Sequence, residues 1–224
     1  MRSPATSPVP IAERIAAVAN AGFTGLGLIA DDLRAVREAH GFRGLRDMIA
    51  DSGLNHVEIE LIERWWIPRG EPGDSYDVRE LLFEAADVLA PAFIKIGSEL
   101  GPPTTQPETL VEPLQQLADE AQAHGTRIAI ETMPFSIIST VPMGAELDDA
   151  DPEVIGTLFE DTVERRQLCG AGAFDLHSLV TVLRELGFDG PWGVEILSES
   201  FRKLPVGEAL KLAAESALTV LSPA

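Results

Sequence analysis

Four short apolar runs, each with an acid at or near its C-terminal end, constrain the fold of this chain more than any other feature. They are His56–Glu60, Arg127–Glu131, Gly144–Asp148 and Trp192–Glu195. With the two-residue side-chain period of a β-strand, each run separates into an apolar face and a face that carries carboxylates. We therefore expect the acids to converge on one face of one sheet. That face must be wet, functional or occupied by a cation, because clustered carboxylates repel one another and are poorly solvated when partly buried.

Helical segments alternate with these strand candidates and with two more, Phe23–Ile29 and Phe93–Gly97. The spacing of apolar residues predicts helices over residues 11–18, 33–50, 77–89, 108–123, 153–165, 175–186 and 206–221. Such alternation is typical of a parallel α/β sheet in which helices cover the strands. The carboxylate face further indicates closure into a barrel whose lumen is that face, with the active site at the C-terminal ends of the strands.

The spacing of the strands predicts an incomplete (β/α)8 TIM-barrel-like fold. The first three intervals between strand centres are about 32 to 37 residues, the size of one strand and one crossover helix. Between Glu131 and Glu146 lie only fourteen residues, too few for an ordinary crossover helix. No strand candidate precedes Ile11, since residues 1–10 contain three prolines. We count about six strands where a closed barrel needs eight, in a single domain over residues 11–224 that follows a flexible segment, residues 1–10.

Charge and composition limit the partners of the chain. Its 224 residues have a formal net charge of −19 and contain no Lys/Arg cluster larger than Arg165–Arg166. We therefore expect no binding to nucleic acid or to a membrane, and small molecules and metals are the expected partners. The single cysteine excludes an intramolecular disulfide and favours a reducing compartment. No apolar run is long enough for a membrane span, and the N-terminus lacks the apolar region of a secretory signal, so we expect a soluble, cytoplasmic protein.

Several motifs are together specific enough to indicate a family. They are Phe93–Gly97, Ile128–Thr132, Glu146–Ala150, Arg166–Gly172 with Asp175 following, and Gly187–Gly190 leading into Val194 and Glu195. Over residues 9–205 the chain resembles the sugar phosphate isomerase/epimerase family, the xylose isomerase-like TIM barrels. The last two motifs are the most specific part of the resemblance.

The resemblance implies a divalent metal, often Mn²⁺ or Mg²⁺, held at the mouth of the barrel by two glutamates, an aspartate and a histidine. The first family glutamate maps onto Glu131 and the last onto Glu195, and in epimerase members these two also act as the acid/base pair on opposite faces of the substrate. The family arginine before a Gly-x-Gly pair maps onto Arg166. The usual histidine ligand aligns with Glu146, and the strand with the metal-binding aspartate has no counterpart between Thr140 and Ala145. The chain thus looks like a member shortened at its N-terminus and in its middle.

The acids suit the reaction that the resemblance implies. Isomerisation and epimerisation begin with removal of a proton next to a carbonyl, which needs a base near neutral pKa, a matching acid and an electrophile. Glu131 and Glu195 would supply base and acid, and all-oxygen ligation favours Mn²⁺ or Mg²⁺ over Zn²⁺. Alternation makes Glu146 the best third ligand, followed by Asp148 and then by Asp149 at the strand end.

Four further residues are candidates for substrate binding, each with a structural alternative. Arg166 would hold a phosphate or carboxylate, or would stabilise the C-terminus of its predicted helix. Lys95 would contact a substrate oxyanion or neutralise the neighbouring acids. Glu60 would bind substrate hydroxyls or form a salt bridge. Trp66, beside Trp65, would form an apolar wall for a sugar ring or pack in the core.

These inferences favour a metal-dependent sugar (phosphate) isomerase or epimerase that acts on a small keto sugar, polyol or sugar acid. Two alternatives stay open. A catalytically impaired remnant or binding module of the same fold is one, and its open sheet edge would favour association into a homo-oligomer. A metal-dependent phosphodiesterase of the endonuclease type is the other, against which the acidic charge and only four histidines argue.

Overall fold

The computed structural model describes residues 7–97, 105, 107–131 and 162–222. These residues form two compact units, of which the first contains residues 7–19, 23–97, 105 and 107–131 and the second contains residues 20–22 and 162–222. The strand predicted at Gly144–Asp148, with the candidate ligands Glu146, Asp148 and Asp149, lies outside the described residues, as does most of the helix predicted over residues 153–165. The single domain over residues 11–224 stays a prediction.

The first unit is built on a parallel sheet. Its strands are β1 (Gly25–Ile29), β2 (His56–Ile62), β3 (Ile94–Ile96) and β4 (Ile128–Ile130), in the order β1-β2-β3-β4. The helices are α1 (Ile11–Asn20), α2 (Ala30–Asp51), α3 (Tyr76–Leu89) and α4 (Val111–Ala123), the last preceded by a 3-10 turn at Pro107–Leu110. One helix connects each successive pair of strands, as parallel pairing requires. The predicted parallel α/β arrangement is therefore confirmed.

Apolar side chains on one face of this sheet form the core of the first unit. Leu28, Ile59 and Ile94 lie side by side in the register of β1, β2 and β3, and each is at most 1% exposed. Leu33 of α2 and Leu82 of α3 belong to the same buried cluster. Because burying a side chain of this size contributes about 1.5–3 kcal/mol, the core decides which face of the sheet the helices cover and which face stays polar.

A break at Gly41 divides α2, which the helical spacing did not predict. The helix predicted over residues 33–50 lies within α2, but Gly41 has φ 66° and ψ 160°, which are not helical. Glycine reaches this region without the steric cost that a Cβ would bring. The segment therefore consists of two helical pieces joined at Gly41.

The predicted alternation along β2 fails at the C-terminal end of this strand. Val57 and Ile59 are buried as expected, but Leu61 is only partly buried and Ile62 is fully buried. The pairing of β2 with β3 shifts register between Ile59 and Ile62, and such an irregularity redirects the side chains that follow it. The polar face of β2 therefore ends at Glu60.

The apolar face is less well covered at β4. Ile130 was expected to share the buried face with Ile128, yet it is 41% exposed. On one side Ile130 pairs with the fully buried Ile96 of β3, and no described strand lies on the other side of β4. A side chain on a strand with one neighbour has fewer packing partners than one in the middle of a sheet, which accounts for the exposure.

The described part of the second unit is largely helical. Its helices are α5 (Leu176–Glu185) and α6 (Val206–Leu221), with a helical end at residues 162–164 and a 3-10 turn at Phe201–Lys203. The side chain of Asp175 accepts a hydrogen bond from the Ser178 N–H at the start of α5, and Gly187 follows the end of α5 with φ 88°. These are the beginning and the end that the sequence predicts. None of the helices in the described part of the chain combines the length and the apolarity that a membrane crossing requires.

The strand predicted at the run Trp192–Glu195 is wrong, and no strand forms over residues 192–197. This segment pairs with no described strand, and its neighbourhood contains only an isolated antiparallel bridge between Arg165 and Ser198. The alternation in exposure is still present, because Val194 and Ile196 are partly buried while Glu195 is exposed. Alternation shows that one side of a segment is covered, but a strand also needs a continuous ladder of hydrogen bonds, and the described residues supply only the isolated bridge at Ser198.

Candidate functional site

The polar face of the first unit carries three carboxylates and a lysine. Glu58 and Glu60 lie on β2, Lys95 lies on β3, and Glu131 directly follows β4. The Glu131 N–H donates a hydrogen bond to the Ile96 carbonyl (2.9 Å), so Glu131 continues the β4 ladder. Side chains two residues apart on a strand share a face. The register of the sheet thus places these four groups on the same side.

Glu60 and Lys95 form an ion pair on this face. Their side chains are 16% and 22% exposed, so water and salt screen the pair only in part. The Glu60 oxygen in this contact is enclosed, and no donor among the described residues is aligned for a hydrogen bond to it. The Lys95 ammonium is the counter-ion of this enclosed oxygen. One positive and one negative charge of the polar face offset each other.

Glycines of β1 leave room on the polar face. Gly25 and Gly27 pair in register with His56 and Glu58. A Cβ at Gly25 would lie 2.4 Å from the His56 carbonyl oxygen, so only glycine permits the close approach of the two strands there. A Cβ at Gly27 would meet no described atom within 4 Å. Among the described residues, the space beside Glu58 is therefore open. Glu58 itself lies 3.2 Å from the His56 Nε2.

Two adjacent tryptophans lie at the C-terminal end of β2. Trp65 is 3% exposed, and its indole N–H donates a hydrogen bond to the Gly97 carbonyl (2.7 Å), which ties the ends of β2 and β3 together. Trp66 packs edge-on against Trp65 with ring centroids 5.3 Å apart and is partly buried against the core. Trp65 is therefore a core residue, whereas Trp66 keeps part of its surface exposed.

Arg64 is a cation at the end of β2 that the sequence reasoning missed. Its backbone is left-handed, with φ 53°, and its side chain is exposed. The guanidinium lies over Gly73, where a Cβ would come within 2.6 Å of Arg64 Nη1. The sequence signal for this contact is the turn at Pro72–Gly73, since a glycine there lets another segment approach closely.

In the second unit, Arg166 holds the carboxylate of Glu195. Arg166 Nη1 donates to Glu195 Oε2 (2.7 Å), and Arg166 Nε donates to the Thr162 carbonyl (2.9 Å). The Arg166 backbone N–H donates to the Leu197 carbonyl (3.0 Å). The side chains of Arg166 and Glu195 are 30% and 44% exposed. Arg166 thus stabilises a helix end, as one interpretation predicts, and also binds an acid.

A second arginine, Arg202, makes the same kind of contacts at the same helical end. Arg202 forms an ion pair with Glu164 and donates from Nη1 to the Val163 carbonyl (3.3 Å). The Glu199 N–H donates to the Glu164 carbonyl (2.8 Å). Two arginines therefore bind successive carbonyls of one helical end, and each also holds a carboxylate.

Two carboxyl groups of the second unit have lowered pKa values, and neither is a predicted site residue. Hydrogen bonds from the Ser178 side chain and N–H hold the pKa of Asp175 below its ordinary value of 3.8. The Lys203 ammonium donates a hydrogen bond (2.9 Å) and places a positive charge nearby, which lowers the pKa of Glu199 below its ordinary 4.5. Both groups lie on the surface, where such shifts reflect local caps and ion pairs.

The predicted metal ligands are only partly described. Glu131 and Glu195 belong to different units, and Glu146, Asp148 and Asp149 lie outside the described residues. Within the described ranges, no three His, Cys, Asp or Glu side chains come together as a metal-binding set. The donor type nevertheless suits a hard divalent cation, since all five predicted ligands offer carboxylate oxygens.

A groove of about 320 Å³ on the first unit lies away from this polar face. The described residues that line it all belong to α2 and α3: Arg34, Arg37, Asp77, Glu80, Leu81 and Glu84. Arg34 is paired with Asp31 (2.6 Å) and Arg37 with Glu84 (3.0 Å). Paired surface side chains of this kind are common between neighbouring helices, so we place the candidate site on the sheet and not in this groove.

Curated relatives of the chain are inosose isomerases. The chain is 26% identical over 195 residues to inosose isomerase of Bacillus subtilis (strain 168), which covers 81% of this chain and 68% of the relative. It is 27% identical over 157 residues to inosose isomerase of Bacillus velezensis, which covers 64% of this chain and 54% of the relative. The chain thus spans between about half and two thirds of the length of these relatives. No family model matches the chain.

Solved structures with a similar fold are TIM barrels of the xylose isomerase type. A xylose isomerase-like TIM barrel/4-hydroxyphenylpyruvate dioxygenase fusion protein gives a TM-score of 0.77 at 20% identity, over 93% of this chain and 40% of that one. The IOLI protein with a bound zinc atom gives 0.73 at 18% identity, over 93% and 92% of the two chains. D-psicose 3-epimerase from Clostridium cellulolyticum H10 gives 0.65 at 16% identity, over 98% and 96%. At these identities the likeness shows the fold, so the predicted TIM-barrel-like fold and the resemblance to the xylose isomerase-like barrels are confirmed.

Proposed function

We propose that this chain is a metal-dependent isomerase or epimerase that removes a proton next to the carbonyl of a small keto sugar or polyol-derived ketone. The observation that carries the proposal is the polar face of a parallel sheet on which Glu60, Lys95 and Glu131 lie together. Catalytic residues of TIM-barrel enzymes lie at the C-terminal ends of the strands. Glu60 and Glu131 occupy that end of β2 and β4.

The names of similar proteins support the same reaction class. The curated relatives are isomerases of inosose, and one of the similar structures is an epimerase of D-psicose. Isomerisation and epimerisation are the two reactions that we propose for this chain. The chain spans 68% of the length of the first of these relatives. We therefore propose the activity of that whole protein for this chain.

Each proposed catalytic residue has a specific proton to move. Glu131, fixed through its N–H at the end of β4, is the proposed base that removes the proton next to the carbonyl, and Glu195 is the proposed acid that returns one. A divalent metal, when bound, would polarise the carbonyl and so acidify the neighbouring C–H. Because the predicted ligands are carboxylates, we propose Mn²⁺ or Mg²⁺ in preference to Zn²⁺.

The remaining predicted residues would hold the substrate. The Lys95 ammonium can donate to a substrate oxygen while it stays paired with Glu60, whose carboxylate can accept from a hydroxyl. The partly buried Trp66 ring offers an apolar surface for the C–H side of a sugar ring. Holding the substrate in one orientation lets a single base reach a single proton.

Charge favours an uncharged substrate over a sugar phosphate or sugar acid. Lys95 and Arg166 are each paired with a carboxylate. Residues 98–106 and 132–161 contain no Lys, Arg or His, so these segments can add only negative charge. An anionic substrate would have to overcome this excess of acids. Arg64, which has no ion pair among the described residues, is the cation to test if phosphate esters turn over.

The test is exchange of the proton next to the carbonyl in deuterated water. Wild-type protein with added Mn²⁺ is incubated with a panel of keto sugars and their phosphate esters, and deuterium incorporation is followed by NMR. We expect exchange with the uncharged ketones, and a loss of about 10²- to 10⁴-fold in Glu131→Gln, because a positioned base contributes that much. Glu84→Gln, on the surface of α3, is the matched control and should keep wild-type exchange.

The same panel separates the alternatives. Wild-type protein without exchange at any added metal would overturn the proposed reaction, and binding of metal and sugar in that protein would point to the non-catalytic binding module. Full exchange in Glu131→Gln would overturn the role of that residue. A cytoplasmic location, a homo-oligomeric state and the lack of nucleic-acid or membrane binding stay predictions from the sequence.

A further inference from the structure

The contacts of Arg166 fix its guanidinium from two directions. Arg166 Nε donates to the Thr162 carbonyl at the helical end, and the backbone N–H of Arg166 donates to the Leu197 carbonyl. The planar guanidinium presents its donors in a rigid fork. With Nε and the backbone N–H bound, the direction of Nη1 is fixed. Nη1 donates to Glu195 Oε2, 2.7 Å away.

This contact leaves the two oxygens of Glu195 in different situations. Oε2 accepts the hydrogen bond from Arg166, whereas Oε1 accepts none from the described residues. The Glu195 side chain is 44% exposed, and its segment has no described strand partner that would set its direction. A carboxylate on such a segment needs another group to orient it.

We propose that Arg166 is a positioning residue that orients Glu195 for proton transfer through Oε1, and that it is not the anchor for a substrate phosphate or carboxylate. The proposal rests on the proposed isomerase or epimerase function, in which Glu195 is the acid. In this role Arg166 acts through Glu195, whose carboxylate it holds. Its positive charge is already offset by the carboxylate that it holds, which makes it a weak site for a second anion.

Arg202 provides a matched control within the same unit. It binds the Val163 carbonyl and forms an ion pair with Glu164, and the exposures of that pair, 35% and 33%, are similar to those of Arg166 and Glu195. Loss of either arginine side chain removes one hydrogen bond to a carbonyl of the same helical end and one ion pair with a glutamate. The carboxylates differ, because Glu195 has a proposed part in the reaction and Glu164 has none.

The experiment compares Arg166→Gln with Arg202→Gln in the full chain, with turnover of the best uncharged ketone from the exchange panel measured over a range of concentrations. We expect kcat of Arg166→Gln to fall by about 10- to 100-fold, the usual consequence of a misplaced reacting group. KM should stay within about twofold, because uniform substrate binding is unchanged. Arg166→Lys should recover part of kcat, since lysine can hold Glu195 but cannot also bind Thr162 from the same fork.

Melting curves show whether both glutamine variants fold, and Arg166→Lys takes the place of Arg166→Gln if the latter does not. An increase in KM with unchanged kcat would overturn the proposal, since it would make Arg166 a substrate anchor. Equal losses in Arg166→Gln and Arg202→Gln would also overturn it, by showing a structural role only. If wild-type protein shows no exchange, the proposed function is overturned and this role with it. If wild-type protein is active but KM rises alone, or both glutamine variants lose equal activity, the positioning role alone is overturned.

Discussion

The candidate acids Glu60 and Glu131 of the first unit lie on, or directly after, hydrogen-bonded β-strands. Glu195 of the second unit lies on a segment without a described strand partner. On β2 and after β4, the pleat of the sheet decides which way Glu60 and Glu131 point. The direction of the Glu195 side chain is set by Arg166, which is itself bound to the end of a helix. Direction is therefore set by backbone pairing in one unit and by a side-chain ion pair in the other.

The two units also differ in how they bury apolar surface. In the first, apolar side chains of three strands and four helices form one cluster, and many of its members have no exposed surface. In the second, the buried apolar residues among those described are Val180, Ala213, Ala217 and Val220. Short side chains bury little area, so capping contacts and ion pairs carry more of the local stability there. Changes of equal chemistry should therefore have unequal effects in the two units.

The largest effect on stability is expected from a core substitution in the sheet. Ile59 has no exposed surface and lies between Leu28 and Ile94. Ile59→Ala should lower the free energy of unfolding by about 2–5 kcal/mol, because it removes buried methyl groups and leaves a cavity. Urea denaturation followed by circular dichroism measures this change.

A matched pair of valines sharpens the same comparison. Val36 of α2 is 4% exposed and Val180 of α5 is 5% exposed, so valine-to-alanine removes the same atoms from two helices at equal burial. We expect Val36→Ala to cost about 1–2 kcal/mol and Val180→Ala to cost less, because the residues around it can relax towards solvent. An equal or larger loss for Val180→Ala would contradict the difference that we describe between the units.

Breaking the ion pair on the polar face should have a smaller effect than Ile59→Ala. Lys95→Met would leave the enclosed Glu60 oxygen without its counter-ion, and we expect a loss of about 1–3 kcal/mol in the free energy of unfolding at neutral pH. The double variant with Glu60→Gln should regain part of that loss, since the charge that Lys95 offsets on Glu60 is then removed as well. Lys203→Met in the second unit is the control: its pair with Glu199 is about 70% exposed on both sides, and we expect no measurable change. A similar loss in both variants would count against a buried contribution of the Glu60–Lys95 pair.

The smallest effect, and one with a pH signature, is expected at the start of α5. Hydrogen bonds from Ser178 lower the folded-state pKa of Asp175, so the charged carboxylate stabilises the fold above the ordinary pKa of 3.8. This contribution disappears as the pH falls through the lowered folded-state pKa. Asp175→Ala should therefore reduce the urea midpoint slightly at pH 7 and less at lower pH.

Asp175→Asn separates the charge from the cap in that experiment. Asparagine caps a helix about as well as aspartate but does not titrate, so its midpoint at pH 7 should stay near wild type while the acid-dependent part of the change is absent. A difference between Asp175→Ala and wild type that stays constant from pH 7 to below the lowered pKa would show that the carboxylate charge makes no contribution.

The sequence by itself determined the local elements and the side of the sheet that carries the acids. Helical spacing predicted α6 with its observed bounds, Val206–Leu221, and the alternation of β2 predicted that Val57 and Ile59 would be buried opposite Glu58 and Glu60. These features depend on residues a few positions apart, which side-chain period and capping describe well. The resemblance of the motifs likewise led to the fold that similar solved structures share.

Tertiary structure alone decided which of these segments pair with one another and in which register. The segment at residues 192–197 has the alternation of a strand but no described neighbour, and the register shift after Ile59 buries Ile62 in place of Leu61. The pairing of Lys95 with Glu60 and of Arg166 with Glu195 joins residues 35 and 29 positions apart. Such contacts depend on how distant segments meet in space, which no local period encodes, and they determine how the candidate acids are held.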